Sequence, residues 1–486
     1  MIERSALSSL LPAVAVLATC AWACETADVP VFSVPPAGSA AADAGLAEAS
    51  PSTEPVAAGT QQDFCAGSGP PVLVDRAADG GAVSTCPDQL AQRKFRYALC
   101  TCDACGSDPA HKIVTDAFDS SRGPYDGSTA TAGGSIGVNG DLHPGPMHIG
   151  GSLWASTAST ITTSSLYVAG DLHTEGELRP AADPSVMADA LSVQGDAWLA
   201  GGIQTTGGVT VKGTLHVPKG QPSDVTGSPF LHGATDGSGF TVPPACDCAA
   251  EHLVDVAGIV ASYAASNDDA DGGVGISPSA FENVQTAVTQ TLECGRIFLT
   301  RIGASQAPIH LTTQGRVALF VNGNILANDF IVDVPSGSEF DLFVAGNVTV
   351  GGMFRVGDPA NPARARMYVG GTAVNLAGAT TLAGNLYAPH AALTLGLSAA
   401  TTVYGAIFAL RFQATADLWI HYDEAILTPS STPACSAPTS CTSSCDCAGQ
   451  ACNGGTCGAC SDSTTPCCPP LVCGPSKTCV ADIIAR

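Results

Sequence analysis

Several groups of residues in this sequence have the types and spacing that chemistry needs. Histidines recur at one position of a repeated phrase: Gly-Asp-Leu-His143, Gly-Asp-Leu-His173 and Gly-Thr-Leu-His216. If the copies stack in register, the imidazoles form a ladder on one face, and neutral imidazole is a common ligand for zinc, copper or nickel. No acidic or cysteine partner is fixed by spacing, so the plainer reading is a polar residue at an outward position. Asn267-Asp-Asp269-Ala-Asp271-Gly272 follows the first half of a calcium loop, with oxygens at positions 1, 3 and 5 and glycine at 6. Position 12 falls on Pro278, where a bidentate Glu is required, so this is no EF-hand. It leaves a looser oxygen cage or an acidic turn, and calcium is the one cofactor left open.

His421-Tyr422-Asp423-Glu424 has the composition of an acid–base cluster. Neighbouring carboxylates on a strand point to opposite faces, however, and cannot flank one substrate. Tyr422 is expected to pack and Asp423 to cap the last turn of the fold. Arg364-Ala-Arg366 is a close pair of arginines that could meet an acidic polysaccharide, and Pro359 and Pro362 beside it indicate a loop. Cys457-Gly-Ala-Cys460 has zinc-knuckle or redox spacing, but so many cysteines surround it that a disulfide role is expected. No catalytic residue is assigned.

The elements that must position these groups follow from the repeat itself. An apolar residue, a spacer, a glycine, a small polar residue and another apolar residue recur at Val138–Leu142, Val168–Leu172, Val193–Ala197 and Val211–Leu215. The phrase returns at Val321–Ile325, Val344–Val348, Val369–Ala373, Leu382–Leu386 and Val403–Ile407. Glycines in the first block are 30, 25 and 18 residues apart, and in the second 23, 25, 13 and 21. Such periods indicate a solenoid with one supersecondary unit per turn. Gly140, Gly170, Gly195, Gly323, Gly346 and Gly384 are expected at its corners, supplying φ > 0. The fold expected is mainly β, a single-stranded β-helix interrupted by a helical insertion and followed by a disulfide-rich C-terminal module.

Along the chain, residues 1–23 read as an export signal, with Cys20 and Cys24 as alternative lipidation sites. Residues 24–62 form a Pro/Ala/Ser-rich tether and 63–118 a Cys-stapled cap, with a short helix over Leu90–Cys100. The solenoid spans 119–428, its insertion about 246–296 carrying helices over Ala249–Ala265 and Pro278–Leu292, with Cys294 poised to bridge the Cys246/Cys248 pair. A linker over 429–440 precedes the Cys-rich module at 435–486. Twenty-one cysteines indicate an oxidising compartment. Cys65, Cys86, Cys100, Cys102, Cys105, Cys246, Cys248 and Cys294 are an even set that could pair within the body. Cys435, Cys441, Cys445, Cys447, Cys452, Cys457, Cys460, Cys467, Cys468, Cys473 and Cys479 staple the tail. The formal net charge of −24 argues against nucleic acid, which needs clustered Lys and Arg.

Gly384-Asn-Leu-Tyr-Ala-Pro389, Val403-Tyr-Gly-Ala406, Ile420-His-Tyr-Asp-Glu-Ala425, Phe118-Asp-Ser-Ser-Arg-Gly-Pro-Tyr125 and Leu342-Phe-Val-Ala-Gly346 resemble a β-helical domain of bacterial envelope and pilus-associated proteins. The resemblance covers roughly Cys65 to Thr428 and implies a surface-exposed solenoid with no assigned activity and no catalytic residue to carry over. Bactofilin-like polymer-forming proteins share the short rhythm, but they are cytoplasmic and lack the cysteines. The expected function is that of an exported structural or adhesive protein, an outer-membrane lipoprotein or extracellular. Its partners would be cell-surface or matrix components, glycan or protein, with membrane contact through a lipid anchor. The alternative is a carbohydrate-active β-helix lyase or hydrolase.

Overall fold

The computed structural model describes residues 60–67, 94–182, 189–270, 274–396, 399–427 and, towards the C-terminus, 451–453, 455–461, 467, 471–473, 477 and 479–481. Short strands wind into a parallel β-solenoid, one face of which is a 13-stranded sheet. Period-2 alternation builds each strand: in Leu166–Val168 the outer residues are buried and Tyr167 between them is partly exposed. Inward residues of successive turns stack into one core, as in the column Leu386, Ile407, Leu99, Ile136 and Leu153.

The repeated phrase makes the corners, and the polar residue after its glycine explains why. Asn324 Oδ1 accepts from Asn347 N (2.8 Å), Asn347 Oδ1 from Thr372 N (2.8 Å), and Asn385 Oδ1 from Ala406 N (3.1 Å). Asp171 and Asp196 do the same for Asp196 N and Thr214 N in the other block. Each side chain thus ties one turn to the next and satisfies a corner N–H that the strands leave unpaired. Glycine precedes it because the oxygen below occupies the space of a Cβ: Asp171 Oδ1 at Gly195, Asn324 Oδ1 at Gly346. Close approach is therefore the reason, in place of the expected positive φ. Among the glycines of the phrase, only Gly405 has one, at 134°.

Spatial order differs from sequence order. The last strand, Leu418–Asp423, pairs in parallel with Ile113–Phe118, and Ile407–Ala409 pairs with Leu99–Thr101. The second block forms the lower turns and the first block the upper ones, meeting at this seam. In space the coil runs from Val288 to Asp423 and continues from Leu99 to Asp236. Residues from Leu99 to Phe118, expected as part of a cap, are instead an internal turn, because Ile113–Phe118 carries the alternation of a two-sided strand. The helix expected over Leu90–Cys100 does not extend to Cys100, since Leu99–Thr101 is a strand.

Residues 237–270 bring the chain back from the upper end to the lower, along the outside of the coil, and 274–287 lie at that lower end. Val242 N donates to Glu175 Oε2 (2.6 Å), Asn139 bonds both backbone groups of Cys246, and Val254 N donates to the Tyr387 hydroxyl (3.0 Å). Helix Val256–Tyr263, capped by Asp255, then lays Tyr263 flat on Phe320 at 4.0 Å. That ring begins an outward ladder of Phe320, Phe343, Tyr368, Tyr387 and Phe408 in consecutive register. The returning segment covers the ladder, so these lower strands are buried on both faces. The helix expected over Ala249–Ala265 is a 3-10 turn at Ala250–His252 followed by this shorter helix. The one expected over Pro278–Leu292 is absent. Val288–Leu292 is rich in β-branched residues and pairs in parallel with Ile309–Thr313, and Glu282 accepts from the Thr300 hydroxyl.

Three disulfides fasten this arrangement: Cys65–Cys294, Cys100–Cys246 and Cys102–Cys248. Cys294 therefore does not bridge to Cys246 or Cys248, because it sits at the lowest turn while they lie at the seam. Cys105 is a free thiol, contrary to expectation. It points into the core between Phe412 and Leu142, and burial pushes its pKa up to about 12. In the C-terminal region Ala451–Asn453 pairs with Thr456–Gly458 and Leu471–Cys473 with Cys479–Ala481, with Cys460–Cys473 and Cys467–Cys479 as bridges.

Candidate functional site

Among the described residues, the seam gathers a constellation of titratable and aromatic side chains with the geometry of a site. His421 Nδ1 lies 2.7 Å from Asp116 Oδ1, and the Tyr125 hydroxyl donates to Asp116 Oδ2 at 2.8 Å. Tyr125 stacks on His421 at 3.8 Å and meets Phe118 and Tyr404 edge-on at 5.4 and 5.8 Å. Burial, reinforced by the bond to Asp116, raises the Tyr125 pKa, so its hydroxyl stays a donor. The carboxylate orients the imidazole as in an Asp–His dyad, but among the described residues no hydroxyl or thiol is bonded to His421. What the cluster does with its polar groups is close the seam.

The rest of the His421 phrase is structural in its contacts. Tyr422 is buried, and its hydroxyl donates to the Phe95 carbonyl at 2.7 Å. Asp423 is fully buried and accepts from Ser120 N, Ser120 Oγ and Ala425 N. Burial raises the pKa of Asp423 against those bonds, and raises that of Glu424 with help from Asp119. Asp423 caps as expected, but the turn it closes is internal. The sequence reading missed Asp116, Tyr125 and Tyr404. The signal that could have found them is that Phe118–Tyr125 and Ile420–Ala425, singled out separately, meet here.

The three-histidine ladder does not form. His173 and His216 share a column, but Trp198 lies between them, and His143 belongs to a different column against Gly106. The turns carry two strands on that side, and the phrase falls on either of them. The observed stack is Trp154, His173, Trp198, His216, with centroids 3.7, 6.0 and 3.5 Å apart. Enclosure between the indoles lowers the His173 pKa to about 4. His143 Nδ1 lies 3.3 Å from Thr162 Oγ1, and His216 Nδ1 3.3 Å from Asp236.

The acidic loop closes the lower end of the coil. Asn267 bonds the carbonyls of Tyr263 and Ala264, Asp268 holds Arg296 through its backbone N–H and guanidinium, and Asp269 Oδ1 accepts from Phe298 N (3.1 Å). Burial raises the Asp269 pKa to about 6. Asp271 lies outside the described residues. Arg366 sits on strand Ala365–Val369, not in a loop, and forms a buried two-point pair with Asp341 at 2.6 and 2.8 Å. It is thereby withdrawn from any surface that could meet an acidic glycan. Among the described residues the single grouping of metal-type ligand atoms is Cys460, Cys467 and Cys479, whose sulfurs are in disulfides. Cys452 is disulfide-bonded as well, and Cys457 stands opposite it in the hairpin. Cys20, Cys24, Cys86, Cys435, Cys441, Cys445, Cys447, Cys468 and the linker over 429–440 lie outside the described residues.

The fold defines a disulfide-stapled parallel β-solenoid in which the strands of the chain's beginning and end pair at an internal seam. Residues 247–428 match a domain of unknown function, DUF7305. That match takes in most of the returning segment and the lower turns and stops just past the seam. Comparison with curated proteins and with solved structures returns no match.

Proposed function

We propose that this chain is an exported, N-terminally tethered rod of the bacterial cell envelope, structural and adhesive in role rather than enzymatic. The observation that carries the reading is the disulfide pattern, whose body bridges join segments 146 to 229 residues apart. Such bonds persist in oxidising compartments. A second support is that the carboxylates and arginines a glycan-processing groove would use are engaged in the coil: Asp423 with Ser120, Asp268 with Arg296, Asp341 with Arg366. Lipidation at Cys20 or Cys24 would anchor the tether, and among the described residues no helix is long and apolar enough to cross a membrane. Surface glycans or proteins are the partners this role implies.

Fractionating bacteria that produce the full chain, with thiol labelling before and after reduction, tests this. The expected result is an envelope or secreted protein whose body cysteines, Cys105 aside, label only after reduction. Cytoplasmic retention with freely reactive thiols overturns it. The alternative, a carbohydrate-active enzyme, would depend on His421 and Asp116. Glycan cleavage lost in a stably folded Asp116→Asn variant would establish that alternative.

A further inference from the structure

Two buried ion pairs of the coil, Asp268–Arg296 and Asp341–Arg366, use arginine, whose planar guanidinium meets a carboxylate at two points. A third pair uses lysine. Lys94 is 1% exposed, and its Nζ donates to Asp247 Oδ2 at 2.8 Å and to the Asp247 carbonyl at 2.7 Å. The same Nζ lies 5.5 Å from the centre of the buried Phe408 ring. The second carboxylate oxygen, Asp247 Oδ1, is 2.7 Å from His252 Nδ1. A primary amine, a carboxyl group and an imidazole are therefore in direct contact. Of the two basic side chains, lysine is the one that becomes a nucleophile on losing a proton.

Both reacting residues are held where they are. Asp247 stands between Cys246 and Cys248, which are bridged to Cys100 and Cys102. Lys94 precedes Phe95, whose ring meets Tyr387 edge-on at 6.4 Å and whose carbonyl accepts from the Tyr422 hydroxyl. Groups fixed in this way react as though present at about 10⁵ M or more, which offsets the preference of water for the separated ions. Enclosure favours the same outcome, because a neutral amide has none of the desolvation cost of a buried ion pair. On the outer side the carboxylate is 26% and the imidazole 47% exposed, which leaves a released water a way out.

We propose that Lys94 and Asp247 condense into an intramolecular amide between Nζ and Cγ, with His252 carrying the proton. The lone pair of the deprotonated amine forms the N–C bond, and the bond from Cγ to Oδ1 breaks. Two of the three ammonium protons end on Oδ1, which leaves as water, and the third stays on the amide nitrogen. His252 gives its Nδ1 proton to the departing oxygen and is reprotonated from the amine. Nothing is oxidised or reduced, and no co-reactant is needed. Burial raises the Asp247 carboxyl, but the Lys94 charge and the bonds from Lys94 and His252 outweigh it and hold the group below its usual range. The neutral pair that reacts is therefore a minor form, and the bond forms slowly, after folding. Once made, it keeps the returning segment on the seam even when Cys100–Cys246 and Cys102–Cys248 are reduced.

The test takes the full chain freshly purified, stores it folded, and follows reduced tryptic digests by mass spectrometry over time. The expected product is a branched peptide one water lighter than the two peptides that carry Lys94 and Asp247, growing with storage. Lys94→Arg, checked for folding by its melting curve, should abolish it. His252→Gln keeps a hydrogen-bond donor at Oδ1 but carries no proton, and should slow the appearance of the same product about 100-fold. Separate peptides throughout in the wild-type protein overturn the amide, and a branch on Asp247 that persists in Lys94→Arg overturns this pairing. An unchanged rate in His252→Gln overturns the role of the imidazole. The reaction needs only the folded chain, so its failure and a failure of the export reading are distinguishable.

Discussion

Tyr422 and Asp423 are chain neighbours that hold the seam from opposite faces, one through its ring and hydroxyl, the other through three accepted hydrogen bonds. Tyr422→Ala should cost about 3–5 kcal/mol, the range for emptying a buried aromatic site. Tyr422→Phe should cost about 1–3 kcal/mol, because it strands the buried Phe95 carbonyl. Urea unfolding monitored by circular dichroism reads both, and equal losses would place the whole effect in the hydroxyl. His173 gives a pH signature. Burial between the indoles keeps its imidazole neutral in the folded chain down to about 4, whereas the unfolded chain protonates near the ordinary 6.5. Unfolding therefore takes up a proton as pH falls through that window, and stability should decline across it by up to about 3 kcal/mol. His173→Gln should flatten that part of the acid slope in a melting-temperature series, and an unchanged slope would remove His173 as its source.

Within the elements, the corner side chains predict a hierarchy. Asn347→Ala leaves the N–H groups of Thr372 and Ala373 to water in place of their acceptor and should cost about 0.5–1.5 kcal/mol. Gly371→Ala is the more damaging change, since its Cβ would collide with Asn347 Oδ1 and the Gly346 carbonyl. Thermal melting of the two variants checks the order. Gly137 has another reason to be bare: a Cβ there would press on Ala245 and on both sulfurs of Cys100–Cys246. The repeat was legible because each phrase is local, with five residues carrying the corner and the strand that follows. The helices over 249–292 were legible only in part, because a propensity pattern cannot tell a short edge strand such as Val288–Leu292, exposed along its middle, from a turn of surface helix. The histidine column failed for the same reason, since the phrase fixes a corner but not which strand of the turn follows it.

For the molecule as a whole, what the sequence hid was the seam. The pairing of Ile113–Phe118 with Leu418–Asp423 spans 305 residues at Asp116–His421, and nothing local announces it. If the coil is continuous through that joint, the order of the chain is dispensable. A permuted chain beginning near Gly237, running to Leu427 and joined by a flexible linker to Lys94 should fold to the same solenoid, with far-UV circular dichroism and a single melting transition as the readout. Two separate transitions would show that the upper and lower turns are independent bodies. Reduction of the native protein should lower its stability by about 2–5 kcal/mol per body bridge, measured by melting with and without reductant.

The bridge between Cys65 and Cys294 also decides how the protein bears a load. Tension applied between the N-terminal segment and the region after Leu427 crosses from Cys65 directly to Cys294, bypassing the intervening chain, whose sequence separation is 229. Every upper turn lies in that bypassed stretch. The tip can therefore remain folded while the lower turns carry the pull, like a pennant beside a taut rope. Reducing that bridge alone would put residues 65–100 and 246–294 in series with the load, the Cys100–Cys246 bridge still bypassing the rest, and release up to about 300 Å of slack.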